Sequence, residues 1–148
     1  MLKKTLTKNV YDCRANDLLN VVADVKSYTN FIPFCSDVKI IDRSISDELE
    51  YFSALLSINF KFTSENFETK VVVDRKLNTI SISGDTKPFK SMIADWSFIE
   101  TDNFCEVTFS VEVSFSSFIK EKIFAISFEK IALNVIDAFE GRAREKNF

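Results

Sequence analysis

Apolar and polar positions alternate most regularly near the middle of the last third of the chain. Cys105, Val107, Phe109, Val111, Val113 and Phe115 interleave with Glu106, Thr108, Ser110, Glu112 and Ser114. A period of two predicts a strand with one buried face and one wet face. The same period recurs in shorter runs. Phe52, Ala54, Leu56, Ile58 and Phe60 share a parity in 50–60, as do Phe67, Val71 and Val73 in the next run. Ile80 and Ile82 alternate with Thr79, Ser81 and Ser83, and Met92, Ala94, Trp96 and Phe98 mark another face. Val38 to Arg43 is a short β-branched strand, and 2–10 a weaker one carrying Leu2, Leu6 and Val10. Ile58–Phe60, Arg75–Asn78, Gly84–Asp85 and Thr101–Asn103 read as turns. Strands joined this tightly are antiparallel.

Two segments carry a helical period instead. From Arg14 to Val25, Leu18, Leu19, Val21, Val22 and Val25 recur at three- and four-residue spacing. Tyr28 to Phe34 reads as a short helix or turn ended by Pro33. From Ser117, an N-cap by residue type, to Ala143 the stripe is Phe124, Phe128, Ile131, Val135, Ala138 and Phe139, widened by Ile119, Ile123 and Ile126. A continuous helix of about 26 residues would be about 39 Å long and would cover the apolar sheet face. The expected class is α+β, a curved antiparallel sheet wrapped around a long C-terminal helix in a single domain, 1–148.

Composition narrows the chemistry. There is no His among the 148 residues, which removes the Ser-His-Asp triad, the Cys-His dyad and His-ligated metals. Only two Gly occur, against 16 Phe, so phosphate-cradling glycine loops are not expected. The net charge of −3 disfavours bulk binding to nucleic acid, and no DNA partner is expected. Cys13, Cys35 and Cys105 are far apart and odd in number, which suggests buried thiols in a reducing compartment. The N-terminus lacks a secretory apolar core and no run approaches ~20 apolar residues. The expected location is the cytosol, or the cytosolic face of the inner membrane as a peripheral protein.

A resemblance rests on ordered blocks of residues. Val22-Ala23-Asp24-Val25-Lys26-Ser27-Tyr28-Thr29-Asn30-Phe31-Ile32-Pro33-Phe34-Cys35 resembles the "VaDVe-x-Yp-x-FlPwC" signature of the coenzyme Q-binding / ribosome-association-toxin family. Ala54–Phe60, Phe67–Val71, Pro88–Phe98 and Cys105–Phe109 resemble that family's later blocks, and Phe128–Ala132 with Asp137–Ala143 its final helix. Family glycines are replaced by Asn59, Lys87 and Ala94, and the family Trp before Cys35 by Phe34. The resemblance implies a START-like (polyketide-cyclase-like) helix-grip fold. It also implies a non-enzymatic protein that binds ubiquinone in an apolar cavity and supports respiratory electron transfer as a carrier or chaperone. Respiratory-chain or membrane contact would follow. Other members imply a different role, a toxin that binds the large ribosomal subunit and blocks subunit association. Cyclase or aromatase activity rests on superfamily analogy alone.

Candidate site residues each have two readings, cavity wall or plain core. Trp96 leads them, followed by Leu56, Phe60, Phe89, Phe109, Phe128, Ile131 and Val135. Phe31, Pro33 and Phe34 are either an apolar lip that meets a membrane or an anchor for the short helix. Asp24, Glu65, Asp95 and Glu129 are the acids to inspect for a carboxylate pair, or else solvated charges. Arg142, Arg144 and Lys146 suit the helix dipole, and would also suit RNA or anionic lipid. No catalytic residue, metal site or catalytic cofactor is expected; ubiquinone is the expected ligand.

Overall fold

The computed structural model describes residues 1–60 and 63–146, with the side chains of Phe60, Thr63 and Lys146 outside the description. Its strands are β1 (Leu2–Tyr11), β2 (Cys35–Ser46), β3 (Leu49–Phe60), β4 (Thr63–Asp74), β5 (Thr79–Gly84), β6 (Phe89–Glu100) and β7 (Phe104–Phe115). The helices are α1 (Ala15–Ala23), α2 (Phe118–Ala125) and α3 (Phe128–Lys146), with a 3-10 segment at Val25–Asn30. The strands form one antiparallel sheet in the order β1-β7-β6-β5-β4-β3-β2. Register shifts between Cys35 and Asp37, between Ile41 and Ser44, and between Phe89 and Ser91 mark bulges, which bend a strand and deepen the sheet's curvature. This is a helix-grip fold, a curved sheet holding a long C-terminal helix.

The period-two positions take the inner face. Phe52, Ala54, Phe67, Val71, Val73, Ile80, Met92, Ala94, Trp96, Phe98, Cys105, Val107, Phe109, Val113 and Phe115 are all buried. β1 breaks the rule in an informative way. Its inner positions run Leu2, Lys4, Leu6, Lys8, Val10, because the two lysines reach carboxylates on α3. Their aliphatic stems cover apolar surface while the ammonium groups find partners.

Left-handed backbone falls on short polar residues. Asp12, Asp42, Asp47 and Asn78 have φ of 64°, 54°, 54° and 55°. Asp and Asn adopt this region more readily than other side-chain-bearing residues, so a chain with two glycines can still turn sharply. Gly84 is required for space: a Cβ there would lie 2.8 Å from the Glu68 carbonyl oxygen.

Three expectations are corrected. The turn expected at Ile58–Phe60 is strand, with Ile58, Asn59 and Phe60 paired to Glu65, Ser64 and Thr63. The C-terminal helix is not continuous but turns at Ile126–Ser127, which separates α2 from the 19-residue α3. Ser117 does cap α2, accepting from the Lys120 N–H at 3.3 Å. Ser127 is of a residue type that favours a helix start over a helix interior, and its carbonyl receives the Ile131 N–H at 2.9 Å. The turn lets Phe124 stack on Phe115 (4.9 Å between centroids) while α3 follows its own line across the sheet. As a result Ile119, Ile123 and Ile126 are exposed and do not widen the buried stripe. That stripe is Phe124, Ala132, Ile136, Phe139 and Ala143.

Candidate functional site

The helices fill the inner sheet face unevenly. At one end β6, β7 and α3 close up around Trp96. Its indole lies 4.3 Å from Phe109, 5.1 Å from Phe139 and 6.1 Å from Phe98, centroid to centroid. At the other end, beneath α2, a cavity of about 200 Å³ remains. The sheet contributes Ile58, Phe67, Met92, Phe109, Val111, Val113 and Phe115; Pro88 and Phe89 close one side. Phe34 enters from the segment before β2. The helices contribute Phe124, Phe128, Ile131, Ala132 and Val135.

Glu65 is the only charged side chain among these lining residues. It is ion-paired to Lys120, which ties β4 to α2 at the cavity's edge. The remaining wall is carbon and one thioether. Such a wall offers an apolar molecule dispersion contacts and release of water, and offers a polar one no hydrogen bonds. Three larger clefts, of about 450, 580 and 430 Å³, are lined mostly by polar strand and loop residues; the first shares only Met92 with the apolar cavity and the third only Phe67.

Phe89, Phe109, Phe128, Ile131, Val135 and Phe34 are therefore brought together around one cavity. The other expected residues lie elsewhere. Trp96 does not line the cavity, because three rings enclose it and only its neighbour Phe109 reaches the wall. Leu56 is half-buried in a groove beside Lys39 and Asn66. The Phe60 side chain lies outside the described residues. Phe31 packs edge-on against Tyr28 and Phe139, at 5.8 and 5.2 Å, beneath the Arg142 guanidinium at 5.4 Å. Pro33 is exposed. The expected lip thus divides: Phe31 anchors, Pro33 faces solvent and Phe34 lines the cavity. Among the lining residues that pattern reading missed are Phe67, Met92, Val113, Phe115 and Phe124. Parity put four of them on the inner face, and nothing in parity says which end of that face is left unfilled.

Among the described residues the candidate acids are dispersed rather than paired. Asp24 accepts from the Ser27 hydroxyl at 2.6 Å, Glu65 is held by Lys120, Glu129 meets Lys4 at 3.5 Å, and Asp95 lies on the outer face. The three cysteines are buried and form no disulfide. Burial raises the Cys35 thiol, and pushes Cys105 up to about 11 with Glu100 adding to the shift. Neither is poised as a thiolate. Tyr28 donates to the Val22 carbonyl, and burial, then Asp24, raises its hydroxyl above the ordinary range. Among the described residues no cluster of His, Cys, Asp and Glu could hold a metal, and no helix is long and apolar enough to cross a membrane.

The family model for polyketide cyclase / dehydrase and lipid transport proteins matches residues 12–140. The chain belongs to this family. A ribosome association toxin RatA of Rickettsia prowazekii is 31% identical over 86% of this chain and 87% of the relative. The mitochondrial coenzyme Q-binding protein COQ10 of Dictyostelium discoideum is 26% identical over 98% of this chain and 70% of the relative. In solved structures, an 18 kDa protein from Caulobacter crescentus superimposes with a TM-score of 0.81 at 26% identity, covering 98% of this chain and 97% of that one. A START superfamily protein from Mycobacterium smegmatis, 18% identical with a TM-score of 0.75 and 97% coverage of each chain, shares the fold. This family member is thus START-like and related to both RatA-type and COQ10-type proteins.

Proposed function

We propose that this protein is a binding protein that holds one apolar lipid of the isoprenoid quinone class in the cavity beneath α2. The observation that carries the reading is the cavity wall, which among the described residues is apolar except for one carboxylate already paired to a lysine. The relative named for coenzyme Q binding supports ubiquinone as the specific member of that class. At about 200 Å³ the cavity is smaller than the ~300–1,000 Å³ usual for ligand sites. It suits a ring or a short length of isoprenoid chain, with the rest of a long tail leaving through the mouth. A carrier of this kind would work at the cytosolic face of the inner membrane.

The chain's single Trp supplies the test, since Trp96 contacts Phe109 and Phe109 lines the cavity. Titration with a short-tailed ubiquinone should quench Trp96 fluorescence saturably, near one equivalent. A linear, non-saturating loss of signal would reject the reading.

A second reading has its own support. The relatives favour ribosome association: the RatA relative is more similar in sequence than the COQ10 relative, and a persistence and stress-resistance toxin PasT of Escherichia coli is also related, at 26% identity. Geometry supports it less. Arg144 is bound to Glu140 and to the Tyr11 carbonyl, and Arg142 to Glu145 and the Phe31 ring, so these cations are already engaged. Sedimentation with purified large ribosomal subunits distinguishes the readings. Co-migration that lowers 70S formation would support the ribosomal role.

A further inference from the structure

The helix α2 buries only one of its side chains, Phe124. Phe118, Ile119, Ile123 and Ile126 are 72, 70, 43 and 86% exposed. Ile119, Ile123 and Ile126 follow one another at four and three residues, so they form a single outward stripe. Four large apolar side chains on the nine residues 118–126 is not the scattered exposure common on surfaces.

The inner side of the same helix belongs to the cavity. Phe124 lines it, and Lys120 holds the lining residue Glu65. The surroundings are basic although the whole chain is acidic. Lys122 sits 4.7 Å over the Phe118 ring. Lys87 and Lys90 flank Pro88 and Phe89, a segment tied to the start of α2 where Ser116 donates to the Pro88 carbonyl at 3.0 Å. Lys130 follows in the first turn of α3. Among the described residues, Lys87, Lys90 and Lys130 are exposed and in no ion pair. The nearby carboxylates are mostly engaged: Glu65 by Lys120, Glu121 by the N-terminal amine and Glu129 by Lys4, with Asp85 left exposed.

We propose that the outer face of α2 is the surface by which this protein lies on an anionic phospholipid membrane. Apolar side chains of an interfacial helix enter the acyl boundary, and a lysine rim meets the headgroup charge. The arrangement sets α2 between the bilayer and the cavity, with Phe124 on the cavity side. That the membrane loads the cavity rests on the lipid reading above; the docking face itself stands on α2 alone.

The test is co-sedimentation of the full chain with phosphatidylcholine vesicles, with and without phosphatidylglycerol. The wild type should bind the anionic vesicles and favour them over neutral ones. Ile119→Ser with Ile126→Ser, both exposed and outside the core, should weaken binding by at least about tenfold. Lys90→Glu with Lys122→Glu should abolish the preference for phosphatidylglycerol. A wild type that ignores anionic vesicles, or a serine variant that binds equally well, overturns the proposal. So does a dimer in light scattering that the serine variant dissolves, since the face then belongs to a second copy. Loss of large-subunit binding in that variant, without loss of vesicle binding, also overturns it. Lipid extracted from the same preparations separates the two claims. Loaded protein that ignores vesicles fails only the docking face, and empty protein that binds through α2 fails only the ligand reading.

Discussion

Trp96 and Phe109 share a ring contact yet do different things, and substitution separates them. Trp96 is packed between Phe98, Phe109 and Phe139, so Trp96→Ala should cost about 3–5 kcal/mol in urea unfolding, as large core truncations do. A cost under about 1 kcal/mol would mean that those rings do not hold the indole. Val135 faces the cavity, so Val135→Phe fills space the fold leaves open. It should keep the protein folded within about 1–3 kcal/mol of wild type while abolishing saturable quinone quenching. Retained quenching in that variant would place the ligand elsewhere. Thiol labelling gives an independent check, because all three cysteines are buried. They should react with an alkylating reagent only after denaturation.

At the scale of elements, β1 is joined to α3 by charge. The Lys8 ammonium lies 2.5 Å from Glu140 and 2.9 Å from Asp137, and Arg144 meets Glu140 at 2.8 Å. Burial opposes ionisation of Glu140, but hydrogen bonds from Lys8 and Arg144 outweigh it and hold the carboxyl below its usual 4.5. Its contribution is therefore complete above that value and lost as pH falls through the lower folded one. Hydrogen bonding to Glu140, then to Asp137, raises Lys8 above 10.5, so its contribution persists below that pH and fades only as pH rises through the raised value. Glu140→Gln should cost about 1 kcal/mol at neutral pH and flatten the loss of stability between about pH 5 and 3. An acid limb as steep as wild type would assign that loss to other carboxylates. The same elements show what pattern could and could not reveal. Alternation located every strand within a few residues. It read β1 as weak because Lys4 and Lys8 stand at inner positions, and their partners on α3 lie more than a hundred residues away. The turn at Ile126–Ser127 has no Gly or Pro to announce it, and without that turn the isoleucines of α2 read as core.

For the whole molecule, the α+β class and the grip of sheet on helix were legible because one wet face and one dry face run through six strands. The cavity was legible in kind but not in place. Parity assigns Phe109 and Trp96 to the same face, and only the packing of β6, β7 and α3 decides that Trp96 is enclosed while Phe109 borders open space. The proposed role requires this space to hold an apolar lipid. Organic extraction of the purified protein, with mass spectrometry of the extract, tests it most directly. An isoprenoid quinone or similar apolar lipid should come out near one equivalent per chain and be lost in Val135→Phe. An empty extract, together with no saturable binding on titration, would contradict it.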